Sequence, residues 1–186
     1  MTPRLLCHPA THALPDDLPD RVLALLRARR LLGEPLPLAG ETRHLCGPAL
    51  LEEITFLGCS PHIELDPPAG ESLASAALAG RFCHWRLTPL YPEPRLRLDP
   101  QASPRCPACG TSHPSPTLDG TGRLHCPACG HDSPPEAWRW KQRGACARFF
   151  LELVGVHAGE AVPGEALLDG LAALTDSRWN FAYVRD

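Results

Sequence analysis

The chain has 186 residues, 44% of them apolar and 21% charged, a balance that excludes a large multidomain machine and a disordered polyelectrolyte. With a net charge of −3, the molecule as a whole draws neither nucleic acid nor acidic membrane, so such binding requires a local patch. No segment reaches the roughly 18 apolar residues of a membrane span, and Leu5-Leu6-Cys7 lacks the apolar stretch of a lipoprotein signal, so a soluble cytoplasmic protein is expected. Lys141 is the sole lysine and Asn180 the sole asparagine, a bias of GC-rich coding that also accounts for part of the 22 prolines and 15 glycines.

Residues 1–50 read as an N-terminal helical extension. Within it Arg21–Leu32 carries apolar residues at helical spacing, opened by Pro19-Asp20 and stopped by Gly33 and Pro35. Ile54–Gly58 is a short apolar run followed by Cys59-Ser60-Pro61, a strand and its turn. Glu71–Ala79 is Ala-rich and helical, and Gly80 ends it. Arg81–Leu87 follows as a strand.

The strongest signal is a repeated pentapeptide, Cys106-Pro-Ala-Cys109-Gly110 and Cys126-Pro-Ala-Cys129-Gly130, with 16 residues between the inner cysteines. Proline sets the backbone at the start of each turn and glycine permits a positive φ at its end, so each pair aims two sulfurs at one point. Two such turns supply the four thiolates of a closed tetrahedral site. This stretch, about residues 103–133, resembles the zinc-ribbon family with its rubredoxin-like CPxCG knuckles, which implies a structural Zn²⁺ on Cys106, Cys109, Cys126 and Cys129. A single iron is the rival ion. His113, His125 and His131 lie in the module, and because four cysteines already close the tetrahedron they are expected to face solvent. An odd total of nine cysteines in a chain with no export signal argues against a disulfide framework.

After the ribbon, Ala147–Gly155 reads as a strand, Pro163 precedes a helix over Gly164–Thr175, and Trp179–Val184 alternates so that Trp179, Phe181 and Tyr183 share one face. Strand, proline loop, Ala/Leu helix and strand thus occur twice. Two β-α-β units in tandem predict an α+β, ferredoxin-like sandwich built from 51–99 and 138–186, with the Cys₄ ribbon inserted between its second and third strands.

Two functional hypotheses follow. Trp138, Arg139, Trp140, Lys141 and Arg143, with Arg148, carry four positive charges and no acid over eleven residues. Alternating aromatic and basic side chains suit base stacking and phosphate contact, which suggests a zinc-binding module engaging nucleic acid or a nucleic-acid-handling protein. The bland reading of the same residues is a tryptophan packed on the ribbon with solvated charges around it. The rival is an enzyme or metal-handling protein with a second site on the scaffold from Cys59, His62, Cys83 and His84, with His44 and Cys46 nearby in sequence. The expected topology opposes it by separating the two pairs by about a strand length, roughly 17 Å. Packing is the expected role of the thiols outside the ribbon, Cys7 and Cys146 included. No catalytic triad, metalloprotease helix or dinucleotide fingerprint is present.

Overall fold

A computed structural model describes residues 1–38, 40–57, 63–114 and 122–185. Its strands are β1 (Pro3–Pro9), β2 (Leu32–Pro35), β3 (Thr42–Cys46), β4 (Ile54–Phe56), β5 (His84–Leu87), β6 (Arg95–Leu98), β7 (Leu124–His125), β8 (Asp132–Ser133), β9 (Gly144–Ala147), β10 (Leu151–Val154), β11 (Ala161–Pro163) and β12 (Trp179–Arg185). Its helices are α1 (Leu18–Ala28), α2 (Leu50–Glu53), α3 (Leu73–Leu78) and α4 (Glu165–Ala172). No helix among the described residues is long and apolar enough to cross a membrane.

The architecture is mixed α+β, organised on a six-stranded antiparallel sheet in the order β12-β1-β10-β5-β3-β2. Side-chain alternation divides its two faces. Leu5, Cys7, Trp85, Leu151, Leu153 and Tyr183 join one core with Leu18, Val22 and Leu26 of α1 and Leu167 and Leu171 of α4. Spacings of four residues put each helical set on one stripe, which is how both helices cover the same sheet face. On the opposite face Leu6, Ala182 and Val184 meet Ala145, Ala147 and Phe150. Having cover on both sides explains why Leu5, Leu6 and Cys7 are consecutive buried residues in β1.

The ferredoxin-like arrangement is not what the chain builds. β4 lies outside the main sheet and pairs antiparallel with β11, while β5 sits between β10 and β3 and is antiparallel to both. The reason is residues 1–50: β1 and β3 from that segment occupy the places beside β10 and β5 that parallel partners would need. Its predicted helix starts earlier, at Leu18, and stops at Ala28, short of Leu32. Arg30 adopts φ 58°, and the amides of Arg30 and Leu31 bond to the carbonyls of Arg27 and Leu26, a Schellman end. Leu31 is then free to bury completely and accept Trp85 Nε1–H at 2.8 Å, and Leu32 to pair with Cys46.

The predicted strand over 147–155 is divided. Gly144–Ala147 pairs with β6, and Leu151–Val154 pairs with β5. Between them Phe149 enters the helix-covered core and Phe150 the opposite one. Because β5 and β6 run antiparallel to β10 and β9, residues 103–133 extend the connection of one long interrupted hairpin.

Candidate functional site

Each CPxCG turn folds the same way. The amide of Cys106 bonds to the carbonyl of Thr111 and that of Gly110 to the carbonyl of Cys106, both at 3.0 Å. In the second turn Cys126 and Gly130 repeat this with His131 and Cys126 at 2.9 and 2.8 Å. Gly110 and Gly130 have φ of 74° and 73°, the left-handed conformation that glycine adopts without a Cβ penalty. The first cysteine of each turn is buried and the second exposed, and the four Sγ atoms lie within 4.8 Å of one another. Cys106 Sγ is 3.8 Å from Cys129 Sγ and Cys109 Sγ 3.7 Å from Cys126 Sγ. A tetrahedron with metal–sulfur bonds of ~2.3 Å has sulfur–sulfur edges of ~3.8 Å. The four thiols therefore fit one metal ion.

The sulfur cluster rests on a small core of Leu124, Trp138 and half-buried Trp140 with Cys106 and Cys126. Arg105 forms isolated bridges with Ser112 and with Arg139, so the segment leaving the module is stitched to the first knuckle. Two of the module's histidines, His131 and His113, are half-buried rather than solvent-facing, and of these His113 reaches the cluster. Its Nε2 lies 3.1 Å from Cys126 Sγ, and its ring meets Trp138 edge-on at 5.8 Å. His125 is exposed and faces Asp132 at 3.1 Å.

The aromatic-basic run is split by the fold. Trp138 is 3% exposed and packs on the ribbon, in line with the bland reading of that residue. Arg139 is exposed. Arg143 extends to Asp99 at 3.6 Å, a buried carboxylate that also holds Arg185. Trp138, Trp140 and Lys141 line a cavity of about 510 Å³ with Gln142 and Cys146. The rest of its lining includes His8 of β1, Glu136, Leu168 of α4 and the run Arg178–Phe181. Sequence reasoning missed this second wall. Alternation put Trp179 and Phe181 on one face, but nothing local says that this face opens beside the ribbon exit.

For the rival site, Cys59 and His62 lie outside the described residues. Cys83 and His84 turn to opposite faces and are engaged elsewhere. The Cys83 thiol lies in the helix-covered core, 3.8 Å from the Gly155 carbonyl. His84 Nδ1 bonds to the Phe82 carbonyl at 3.1 Å, and Arg43 donates to Nε2 at 2.8 Å. His44 Nδ1 faces the carbonyl of Gly33, and the Cys46 thiol donates to that of Cys83. Burial pushes Cys7 and Cys83 up to about 12, and burial with the Glu136 carboxylate does the same to Cys146. Cys46 is raised too, by burial and the neighbouring Cys83. These four thiols stay protonated near neutrality and offer no thiolate nucleophile there.

A charged cluster lies on the other sheet face. Glu152 is fully buried and receives Arg4 at 2.6 Å, Arg86 at 2.9 Å and Arg97 at 3.2 Å. Burial alone would raise its pKa, but the three guanidinium groups outweigh that and hold the carboxyl below its ordinary range. No family model, curated protein or solved structure matches the chain.

Proposed function

We propose that this chain is a zinc-binding interaction module: Cys106, Cys109, Cys126 and Cys129 hold a structural Zn²⁺, and the surface beside the ribbon exit engages nucleic acid in the reducing setting of the cytoplasm. The observation that carries it is the convergence of four sulfurs at tetrahedral spacing. A four-thiolate set leaves no open coordination position, so the ion's contribution is to cross-link two turns of a proline-rich excursion that has little core of its own. The thiolates hold the ion, the knuckle amides fix their direction, and Trp138 seals the inner side of the cluster. Exposed Arg139 and Lys141 beside the half-buried Trp140 ring support the nucleic-acid part, since phosphate contact and base stacking need those two groups together.

Elemental analysis and mobility-shift titration test the two parts. One zinc per chain is expected, lost in Cys106→Ser and kept in Cys83→Ser; two metals, or one that depends on Cys83, favours the rival Cys/His site. Affinity for nucleic acid is expected to fall steeply with salt, and its complete absence removes that part of the reading.

A further inference from the structure

The cavity beside the ribbon exit combines features that packing alone does not require. Half-buried Trp140, anchored by its Nε1–H on the Pro135 carbonyl at 2.7 Å, and half-buried Phe181 line it with aromatic rings; Trp179 also lines it but is 3% exposed and packs into the helix-covered core. Lys141 and Arg178 are exposed, line the same space and make no ion pair among the described residues. Among the described residues Glu136 is the one acid in the lining, and burial lowers the pKa of His8, which disfavours its charged form. Trp138 also lines the cavity, and its buried Nε1–H finds no acceptor among the described residues. Lys141 and Gln142 occupy successive left-handed conformations, φ 49° and 61°, costly for residues with a Cβ. The bond from Tyr183 N–H to the Gln142 carbonyl at 2.7 Å holds this turn in place. Strain maintained at a cavity rim, with an unpaired cation on it, is a positioning device.

A volume of about 510 Å³ lies in the range of small-molecule sites and is too small for a stacked duplex. Flat aromatic surface next to unpaired cations matches a ligand that pairs a planar ring with an anion. The amides of Gln142 and Asn180 add donors and acceptors for the edge of such a ring. We infer that the cavity receives one unstacked nucleotide of a single strand, its base against the aromatic lining and its phosphate at Lys141 and Arg178. This rests on the nucleic-acid reading above and narrows it from a surface to a pocket and from any nucleic acid to single strands.

The test uses the zinc-loaded full chain, a mixed-sequence 20-nucleotide DNA strand carrying one 2-aminopurine, and the matching duplex. The strand is expected to bind at least tenfold tighter than the duplex, with the 2-aminopurine emission changing on binding. Lys141→Asn combined with Arg178→Ala is expected to cost about tenfold and to flatten the log K against log salt plot by about one to two phosphates' worth of slope. Phe181→Leu, which keeps apolar volume and removes a ring, is expected to cost about tenfold at unchanged salt slope. All variants should retain one zinc per chain. Equal affinity for duplex overturns the pocket, as does salt-sensitive strand binding indifferent to all three substitutions; either result leaves nucleic-acid binding intact but located elsewhere. No binding of strand or duplex overturns both readings. Polyglutamate binding as tightly as the strand also overturns the inference, by making the site a general anion surface.

Discussion

The amide of Tyr183 donates to the carbonyl of Gln142 at 2.7 Å, so the edge strand of the main sheet is tied to the turn by which the chain leaves the ribbon. An edge strand has unpaired amides and carbonyls that invite another chain, and here part of that edge is covered from within. The same contact couples the ribbon to the scaffold mechanically. It fixes where Trp140 and Lys141 stand relative to β12, and with them one wall of the cavity.

Gly144, two residues beyond that turn, has no room for a side chain. A Cβ there would sit 2.7 Å from Trp140 Cε3 and 2.9 Å from Leu98 Cδ2. Gly144→Ala is therefore expected to displace the Trp140 ring and destabilise the fold by about 1–3 kcal/mol. Urea denaturation measures the loss, and a shifted tryptophan emission of the native variant reports the moved ring. A variant as stable as the parent with unchanged emission contradicts the packing described for this wall.

Glu152 balances guanidinium groups from three strands, β1, β5 and β6. Glu152→Gln keeps the volume and removes the charge, leaving Arg4 and Arg86 facing a neutral amide in a buried place. Breaking a buried ion pair from one side costs about 3–5 kcal/mol, so a loss of about 3 kcal/mol is expected. Denaturant midpoints at neutral pH decide it, and a neutral outcome means that the cluster is wetter than its full burial implies.

Part of this structure was legible because the chemistry is local. The CPxCG repeat specifies both knuckles, since a proline, a glycine and two thiols within five residues determine the turn without help from elsewhere. Helical spacing located α1, alanine content with Gly80 located α3 and Pro163 located α4, with ends displaced where tertiary demand won, as when burial of Leu31 ended α1 early. Strand partners were a different matter. Arg4-Leu5-Leu6-Cys7 has no alternation because both of its faces are covered, so β1 carries no period-two signature and was absorbed into a helical extension. The Leu151-Glu152-Leu153-Val154 run did hold a usable sign: an acid inside an apolar strand needs buried cations, and the arginines at 4, 86 and 97 supply them. The cavity was not legible because its walls come from β1, the ribbon exit, α4 and β12, segments distant in sequence that meet only through the sheet.

His84 makes stability depend on pH in a definite direction. Burial, helped by the charges of Arg43 and Arg4 and opposed by its bond to the Phe82 carbonyl, lowers its pKa from 6.5 to about 4. The unfolded chain therefore binds a proton at higher pH than the folded one does. Stability from this group is complete above about pH 6.5 and is lost as the pH falls toward 4, up to about 3 kcal/mol. Half-buried His8 shifts in the same direction, so the signature of His84 is the difference between parent and His84→Gln. Urea midpoints taken from pH 7 to 4 should drop less in His84→Gln, and parallel curves for the two proteins would show that the imidazole titrates alike folded and unfolded.

His113 offers the sharpest separation between a ribbon residue that tunes the metal site and one that merely neighbours it. With the proposed metal bound, the Cys126 thiolate would only accept hydrogen bonds, so the 3.1 Å contact would need the Nε2–H tautomer of His113. Such a donor would draw negative charge from the sulfur, and the ring braces Trp138, which packs against the cluster. Partners of this kind typically contribute 10–100-fold to metal affinity, so His113→Ala is expected to weaken zinc binding by that factor in a chelator competition. His125, exposed and turned to Asp132, serves as the internal control, and His125→Ala should leave the affinity unchanged. Equal affinities for both variants would reduce the His113 contact to packing, because a group that only fills space does not alter how strongly four thiolates hold their ion.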